Sequence, residues 1–310
     1  MIRLLAAAVM FHAALLFQST LALAQTFPNK PLRIIVPYAP GGLLDLTARQ
    51  IAANLPENLG QTVVVENRTG AASAVAVDAL KQAPADGHTI LLDNSGLIIT
   101  PILNPKAPFK MQRDLETVSI VTGSSSLLAV NAALPARDVK ELVSLARAKP
   151  GTLNYSSAGV GTILHLSGEL LKAVAKIDLV HVPYKGGSAA MNDVVSGQIH
   201  MIFLGSSILA PFLRDGRVRA IASTGLKRIP AYPDVPTIAE QGYPDFDVVS
   251  WIGLFVVKAT PPELTARLTQ GVNAILAKPD FRAVLVKSSL EPIGASGDDA
   301  RRLLDQEERR

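Results

Sequence analysis

The hydrophobic positions of this chain predict short buried strands that alternate with amphipathic helices. Residues 32–36 are branched aliphatic apart from Arg33, which predicts a strand. After Gly42, Ala48, Ile51 and Leu55 follow Leu44 at the spacing of one helical face. The same pattern predicts two further strands at 63–66 and 89–92, with an alanine-rich helix between them at 71–82. This alternation is typical of βα units around a mainly parallel sheet, an α/β fold.

A run of small polar residues interrupts the pattern in the middle of the chain. Two apolar runs, 118–122 and 127–131, are separated by Gly123 and the serines at 124–126, which we interpret as a crossing between two domains. Three prolines within 230–236 indicate a return linker. The sequence therefore predicts a discontinuous first domain, residues 25–122 and 231–310, and an inserted second domain, residues 123–230.

The same alternation continues to the end of the chain. A helix is predicted at 138–148, and another carries Leu166, Leu170 and Val174 on one face. Predicted strands lie at 153–156, 179–182, 198–204, 219–223 and 248–257. Three helical segments finish the chain, the last from about Asp298.

Two segments in different halves of the chain are nearly the same. Residues 34–42 and 179–187 each read as a strand that closes with Val-Pro-Tyr and continues into a Gly-Gly pair and a helical segment. Glycine lets the backbone turn tightly, and a helix N-terminus offers free N–H groups and a positive dipole end. Each segment therefore predicts a socket for a carboxylate or phosphate. Both motifs are also common in loops, so a chance repeat is the alternative.

The first 24 residues have the pattern of a secretory signal peptide. Arg3 is the only charged residue before Lys30, an apolar run spans 4–17, and Ala22-Leu23-Ala24 forms a small-x-small cleavage site. We expect cleavage after Ala24 and export to the periplasm. The alternative, a membrane anchor, needs about 20 apolar residues, and the run is shorter.

Composition narrows the classes of partner. The net charge of +4 is small and the charges are scattered, which disfavours nucleic acid and is compatible with an anionic small molecule. The chain has no cysteine, so its fold cannot depend on disulfides. Its length exceeds that of most single-core domains, which favours two domains.

Catalytic motifs are missing from the sequence. It has no Gly-x-Ser-x-Gly elbow, phosphate-binding loop, His-Glu-x-x-His or metal-ligand spacing. We therefore expect no catalytic residue, no metal and no cofactor, although a hydrolase assembled from distant Ser, His and Asp residues stays open. His88 is predicted at the surface and His165 in a structural hydrogen bond, while Asp45 in a first helical turn fits a dipole-complementing role.

Five segments, in this order, resemble the extracytoplasmic solute receptors of the tripartite tricarboxylate transporter family, the Bug receptors. They cover essentially the whole chain after the signal peptide, at 30–45, 64–68, 153–161, 181–186 and 233–240. The resemblance implies a two-domain periplasmic binding protein that closes like a flytrap on a small carboxylate. It also implies a monomer that delivers this ligand to the large and small membrane subunits of a secondary transporter. A ligand-sensing accessory protein that contacts a sensor kinase is the alternative.

In this family the carboxylate is held mainly by backbone N–H groups of glycine and serine loops. The resemblance implies ligand contacts in the first domain at Tyr38, Gly41, Gly42, Asp45 and Ser95, and in the second domain at Ser157, Ala158, Gly159, Gly161, Thr162, Gly186 and Ser188. Asp45 would order its loop or meet a polar end of the ligand through water.

Several positions depart from the family pattern by losing polarity near the expected cleft. They are Leu43, Leu44, Ala71, Ala72, Ala74 and Leu204. We therefore expect a carboxylate with an apolar or aromatic portion rather than a citrate-like ligand. The chain also stops at Arg310, earlier than the family pattern, which predicts an incompletely packed last helix.

Overall fold

The computed structural model describes residues 27–71, 73–184 and 186–309. For Ser188 it describes the backbone but not the side chain. The predicted signal peptide and its cleavage site lie outside the described residues. None of the helices in the described ranges is long and apolar enough to cross a bilayer.

Ten strands form one continuous hydrogen-bonded sheet system, in the order β2-β1-β3-β9-β4-β7-β5-β6, with β8 and β10 also paired to β4. Their bounds are β1 Leu32–Val36, β2 Val63–Asn67, β3 Thr89–Asn94, β4 Leu115–Asn131, β5 Asn154–Ser157, β6 Val180–Pro183, β7 Met201–Gly205, β8 Val218–Ser223, β9 Val249–Val257 and β10 Glu291–Ala295. Strands β1, β2 and β3 are mutually parallel, as are β5, β6 and β7, whereas β4 and β9 run antiparallel to their neighbours.

Helices cover the faces of this sheet system. Their bounds are α1 Leu43–Asn54, α2 Pro56–Leu59, α3 Ala74–Lys81, α4 Gly96–Leu103, α5 Met111–Asp114, α6 Val139–Ala148, α7 Ile163–Ala175, α8 Met191–Ser196, α9 Ser206–Arg214, α10 Pro262–Leu276, α11 Pro279–Lys287 and α12 Gly297–Arg309, with a 3-10 turn at Gly187–Ala190. The α/β prediction is confirmed. The predicted face of α1 is buried, since Ala48, Ile51 and Leu55 are fully inaccessible to solvent.

The structure corrects one part of the sequence interpretation: no break between strands occurs at Gly123. Strand β4 continues through it, with Gly123 opposite Trp251 of β9 and Ser126 opposite Gly205 of β7. Small side chains reduce the hydrophobic signal here without breaking the backbone ladder. The N-terminal part of β4 pairs with β9 and its C-terminal part with β7 and β8, so this strand joins the two halves.

The hydrophobic cores lie on either side of this crossing. Two clusters use residues up to 121 and from 251 onwards, and two others use residues 127–248. Ile238, Phe246 and Val248 belong to a second-half core. We therefore propose that the return crossing lies between Val248 and Trp251, later than the proline-rich segment. The division into domains otherwise stays a prediction.

Some elements and one side chain differ from the sequence expectation. Helix α4 was not predicted because Ile98, Ile99 and Pro101 resemble an extended or broken segment. Helix α9, which contains Pro211, was missed for the same reason. His88 is buried, not on the surface, and its ring packs edge-on against Phe27 at 4.9 Å between centroids.

Candidate functional site

The first-half candidate residues lie where parallel strands end. Tyr38, Gly41, Gly42 and Asp45 follow β1, and Ser95 follows β3 as the N-cap of α4. Because the carboxyl ends of neighbouring parallel strands share one edge, the fold gathers these residues at a single rim. Ser95 is only 3 % exposed, so its contact with a ligand stays a prediction.

Asp45 organises the loop between β1 and α1. Its carboxylate accepts hydrogen bonds from the Gly41 N–H at 2.9 Å and from the Asn67 amide at 2.8 Å. Arg49 adds a bidentate pair at 2.9 and 3.0 Å. These bonds, led by those from Arg49, lower the pKa of Asp45 to about 2. The buried carboxylate is therefore ionised and fully paired, which fits a loop-ordering role.

A second hydrogen-bonded group connects β3 to the same loop. The Tyr38 hydroxyl donates to Asn94 Oδ1 at 3.2 Å, and the Gly96 N–H donates to the same atom at 2.8 Å. Beneath them Asp93 is fully buried, and desolvation raises its pKa to about 7. Desolvation, with a contribution from Asp93, raises the pKa of Tyr38 to about 12. Tyr38 is therefore a neutral hydrogen-bonding group at physiological pH.

The second-half loop connects β5 to α7 and carries Ser157, Ala158, Gly159, Gly161 and Thr162. The Thr162 hydroxyl caps α7 by accepting from the His165 N–H at 3.3 Å, and it donates to the Gly159 carbonyl at 2.8 Å. Gly159 and Gly161 have φ of 130° and 79°, which L side chains rarely adopt. Glycine is therefore required by the backbone path itself.

Two histidines support this loop from behind. The Ser157 hydroxyl lies 2.7 Å from His181 Nε2, and the Gly161 N–H donates to His165 Nδ1 at 3.2 Å. The two imidazole rings are 4.1 Å apart between centroids, and Tyr155 stacks on His181 at 4.9 Å. Burial, with the neighbouring His165 charge, lowers the pKa of His181. The expected structural hydrogen bond of His165 is confirmed.

The remaining candidates follow β6. Gly186 has φ of 109°, and Gly187 lies so close to Leu204 that an added Cβ would be 2.2 Å from Leu204 Cδ1. Leu204 is 2 % exposed, so it forms an apolar support under this turn. Lys185 and the Ser188 side chain lie outside the described residues.

The two halves approach each other at the second-half loop. A Cβ built on Gly161 would lie 2.7 Å from Leu103 Cδ1 at the end of α4. Helix α4 begins beside Ser95 and Tyr38, and at 1.5 Å per residue its ends are roughly 10 Å apart. The two predicted groups therefore lie near opposite ends of α4, roughly 10 Å apart.

Several glycine N–H groups are already used within their own loops. The donor and acceptor pairs are Gly41 to Asp45 Oδ2, Gly159 to Ser157 Oγ, and Gly161 to His165 Nδ1. These bonds shape the loops rather than leave the glycine donors free for an anion.

The first turns of α1 and α7 supply other backbone donors. The first helical bonds are Leu46 N–H to Gly42 O in α1 and Leu166 N–H to Thr162 O in α7. The N–H groups just before them, at Leu43 and Leu44 in α1 and at 163–164 in α7, have no carbonyl partner within the helix. The positive end of each helix dipole adds to their attraction for an anion.

An apolar groove of about 460 Å³ opens beside the second-half loop, between α4 and α7. Its apolar walls include Ile98, Ile102 and Leu103 of α4 and Ile163, Leu166 and Leu170 of α7. The lining also contains charged residues, namely Glu169, Asp247, Glu307, Glu308 and Arg309. Leu166 and Leu170 of the predicted apolar stripe of α7 therefore line this groove, while Leu170 and Val174 also pack against a second-half core.

Sequence reasoning missed the residues that hold the loops, including Arg49, Asn67, Asn94 and His181. An Arg four residues after Asp45 in a predicted helix was an available signal for an ion pair. The contacts of Asn67, Asn94 and His181 join separate strands, and nothing in their local sequence shows this.

Comparison with known proteins identifies the family. The family profile described as tripartite tricarboxylate transporter family receptor matches residues 47–310. The chain belongs to this family. The receptor is also 32 % identical over 286 residues to Protein BugT of Bordetella pertussis, covering 92 % of this chain and 88 % of BugT. The resemblance to Bug receptors seen in the sequence is thereby confirmed.

Solved structures confirm the periplasmic binding protein fold of the receptor. Rpa4515 of R. palustris, solved with adipate, has 31 % identity and a TM-score of 0.76, covering 91 % of this chain and 95 % of its own. MatC of Rhodopseudomonas palustris, solved with bound malate, has 30 % identity and a TM-score of 0.72, covering 91 % and 98 %. The chain is thus a solute-binding receptor of a family whose members are periplasmic.

Proposed function

We propose that the receptor captures a small carboxylate between its two halves, holds it mainly through backbone N–H groups, and delivers it to transporter membrane subunits. The observation that carries this proposal is the pair of helices α1 and α7, each beginning directly after a glycine loop at a strand end. The contact between Gly161 and Leu103 supports it, because it brings the second-half loop against the first half.

A few hydrogen bonds from backbone N–H groups to a carboxylate are enough for micromolar binding. A hydrogen bond to a charged group contributes about 1.5–3 kcal/mol net, and a micromolar complex needs about 8 kcal/mol. Four or five such bonds supply this after ordering costs. The ligand shifts the receptor towards its closed form only if the second-half bonds are made in that form alone.

The ligand class we propose has an apolar portion beside its carboxylate. Leu43 is 46 % exposed next to the first-turn donors of α1, and Leu204 is buried beneath Gly187. Ile163, whose N–H is one of the first-turn donors of α7, also lines the groove between α4 and α7. The adipate complex of Rpa4515 supports this class, since a chain of methylene groups separates its two carboxylates.

The first experiment identifies the ligand. Mass spectrometry of protein purified under native conditions finds any retained carboxylate, and calorimetry then compares it with benzoate, 3-methylbutanoate, adipate, malate and citrate. We expect the compounds with apolar portions to bind more tightly than citrate. Much tighter binding of citrate or malate would overturn the apolar ligand class, and binding of no carboxylate would overturn the site itself.

Delivery and catalysis are tested separately. The receptor should bind purified large and small membrane subunits more strongly with ligand present, and a sensory role would instead show binding to a kinase ectodomain. Among the residues that the structure describes, Ser157 and His181 form a hydrogen-bonded serine–histidine pair, but Ser157 is fully buried and accepts the Gly159 N–H. We therefore propose no enzymatic activity and expect no turnover of bound ligand.

A further inference from the structure

We propose that His165 and His181 are positioning residues that hold the second-half loop, residues 157–162, in its ligand-binding form, and that the bond from Gly161 to His165 persists only while the His165 ring is uncharged. Ligand affinity then falls as the pH falls through the range in which histidine titrates. This inference rests on the proposed carboxylate site, because the loop forms one side of it.

The first step concerns His165. The Gly161 N–H can only donate, so His165 Nδ1, 3.2 Å away, must present its lone pair. A protonated imidazole carries hydrogen on both nitrogens and cannot accept. Charging His165 therefore breaks the bond that holds Gly161 near the contact with Leu103.

The second step concerns His181, which acts through Ser157. The Ser157 hydroxyl lies 2.7 Å from His181 Nε2 and accepts the Gly159 N–H at 3.1 Å. When His181 is protonated, Nε2 donates to Ser157, whose own hydroxyl hydrogen can then be donated to the Gly159 carbonyl 3.1 Å away. The Ser157 end of the loop is therefore held in either charge state of His181, and only the bond from Gly161 to His165 depends on an uncharged imidazole.

The two rings also depend on each other. Their centroids are 4.1 Å apart, so a charge on one ring repels a charge on the other. The other titratable groups around them are Tyr155, which stacks on His181, and Glu169 and Lys172 on α7. Tyr155 donates to Glu169 at 2.7 Å and Lys172 donates to it at 3.0 Å.

The balance of these groups favours the uncharged form of His181. Glu169 favours a proton on His181, but burial, the His165 charge and Lys172 act in the opposite direction and lower the pKa of His181 overall.

Two variants separate this role from simple packing. His165→Asn keeps an acceptor near the position of Nδ1, and His181→Gln keeps a polar group near the position of Nε2, but neither side chain titrates. His200→Gln is the matched control, since His200 also has a pKa lowered by burial and contacts Asn154 rather than the loop.

Two readouts test the proposal. Calorimetry from about pH 7.5 to about pH 5.5 uses whichever of benzoate, adipate and malate binds most tightly at the higher pH, corrected for the carboxylate's own titration. NMR follows the Gly161 amide of the ligand-free protein over the same range, so it needs no ligand. We expect about a tenfold loss of affinity in the wild type and the His200→Gln control, and a moving Gly161 signal in both.

The double variant should bind nearly as well as the wild type at about pH 7.5, lose this pH dependence, and show a stationary Gly161 signal. Equal pH dependence in the double variant, or a Gly161 amide that does not respond in the wild type, would overturn the proposal. Failure of all three carboxylates to bind would overturn the proposed function instead, and the NMR titration would still decide the role of the histidines.

Discussion

At the scale of single residues, buried polar side chains shape the loops of the candidate site. Asp45 is nearly inaccessible, yet all its partners are close: Gly41, Arg49 and Asn67 donate to it within 3.0 Å. Asp93 is equally buried, but it lacks a cationic partner among the groups that shift its pKa. One carboxylate therefore stabilises the fold at neutral pH, whereas the other costs stability there.

Replacing Asp45 tests the first of these roles. Asp45→Asn should lower the free energy of unfolding by about 1–2 kcal/mol near neutral pH, because Arg49 and Gly41 lose a charged acceptor. Since the folded pKa is depressed to about 2, the stabilisation is present above about pH 4 and is lost as the pH falls through about 2. Urea unfolding at several pH values measures it.

The control for Asp45 is Asp78→Asn, an exposed position on α3 where Gln82 supplies the hydrogen bond. This variant should change the free energy of unfolding by less than about 0.5 kcal/mol. Equal effects of the two substitutions would contradict a loop-ordering role for Asp45.

Replacing Asp93 should have the opposite dependence on pH. Its folded pKa of about 7 exceeds the ordinary value, so ionisation costs stability increasingly from about pH 4 to about pH 7. Asp93→Asn removes this cost, and its free energy of unfolding relative to wild type should rise over that range by up to about 4 kcal/mol. The free energy of unfolding of Asp78→Asn relative to wild type should stay constant over the same pH range. A constant difference for Asp93→Asn as well would contradict a raised pKa of Asp93.

At the scale of elements, the first turns of α1 and α7 offer more unpaired backbone N–H donors for an anion than the glycines before them. The loop glycines allow the backbone to turn, and their N–H groups are used internally at Gly41, Gly159 and Gly161. The first turns of α1 and α7 supply backbone donors that have no partner within their helices. Sequence patterns predicted both helices and both glycine loops, but not which N–H groups the loops would consume.

A pair of glycine substitutions separates backbone strain from contact between the halves. Gly161→Ala and Gly216→Ala both place a side chain at positive φ, 79° and 65°, and each should cost about 1 kcal/mol of stability. Only Gly161 has a neighbour in the way, Leu103, whereas nothing lies within 4 Å of a Cβ at Gly216. Calorimetry should therefore show about a tenfold loss of carboxylate affinity for Gly161→Ala alone.

A second substitution checks the cause of that loss. Leu103→Ala in the Gly161→Ala background removes the obstructing Cδ1 atom and should restore part of the affinity. Unchanged affinity in Gly161→Ala, or the same loss in Gly216→Ala, would show that the contact with Leu103 does not influence binding.

At the scale of the whole molecule, the two halves are connected where β4 and β9 lie side by side. Thr224, which is fully buried, ties this crossing together: its hydroxyl donates to the Val248 carbonyl at 2.7 Å and accepts from the Ser126 N–H at 2.9 Å. Trp251 lies opposite Gly123 in the same region and is 1 % exposed. Rotation of one half on the other would therefore alter the surroundings of this ring.

Trp251 is the only tryptophan of the sequence, so its fluorescence reports on the crossing alone. Carboxylate binding should change its emission with the same Kd that calorimetry gives, and small-angle scattering should show a smaller radius of gyration. Trp251→Phe should abolish the optical signal and leave binding intact. Calorimetric binding without any change in emission or scattering would contradict closure of the two halves.

The sequence by itself determined the α/β alternation, the helix faces and the glycine loops, because these depend on residue spacing and on backbone freedom within a few positions. Helix α6 shows this, since Asp138 caps it as a helix N-cap should, accepting from the Glu141 N–H at 2.7 Å. The family followed from several motifs in order, and the profile match confirms it.

Only the tertiary structure decided how these parts meet. The continuity of β4 depends on its partners β9 and β7, and the burial of His88 depends on Phe27. The hydrogen bond of Ser157 to His181 likewise joins two strands that are separate in the chain. Such contacts arise between residues far apart in sequence, where local patterns carry no information about which side chains will pack together.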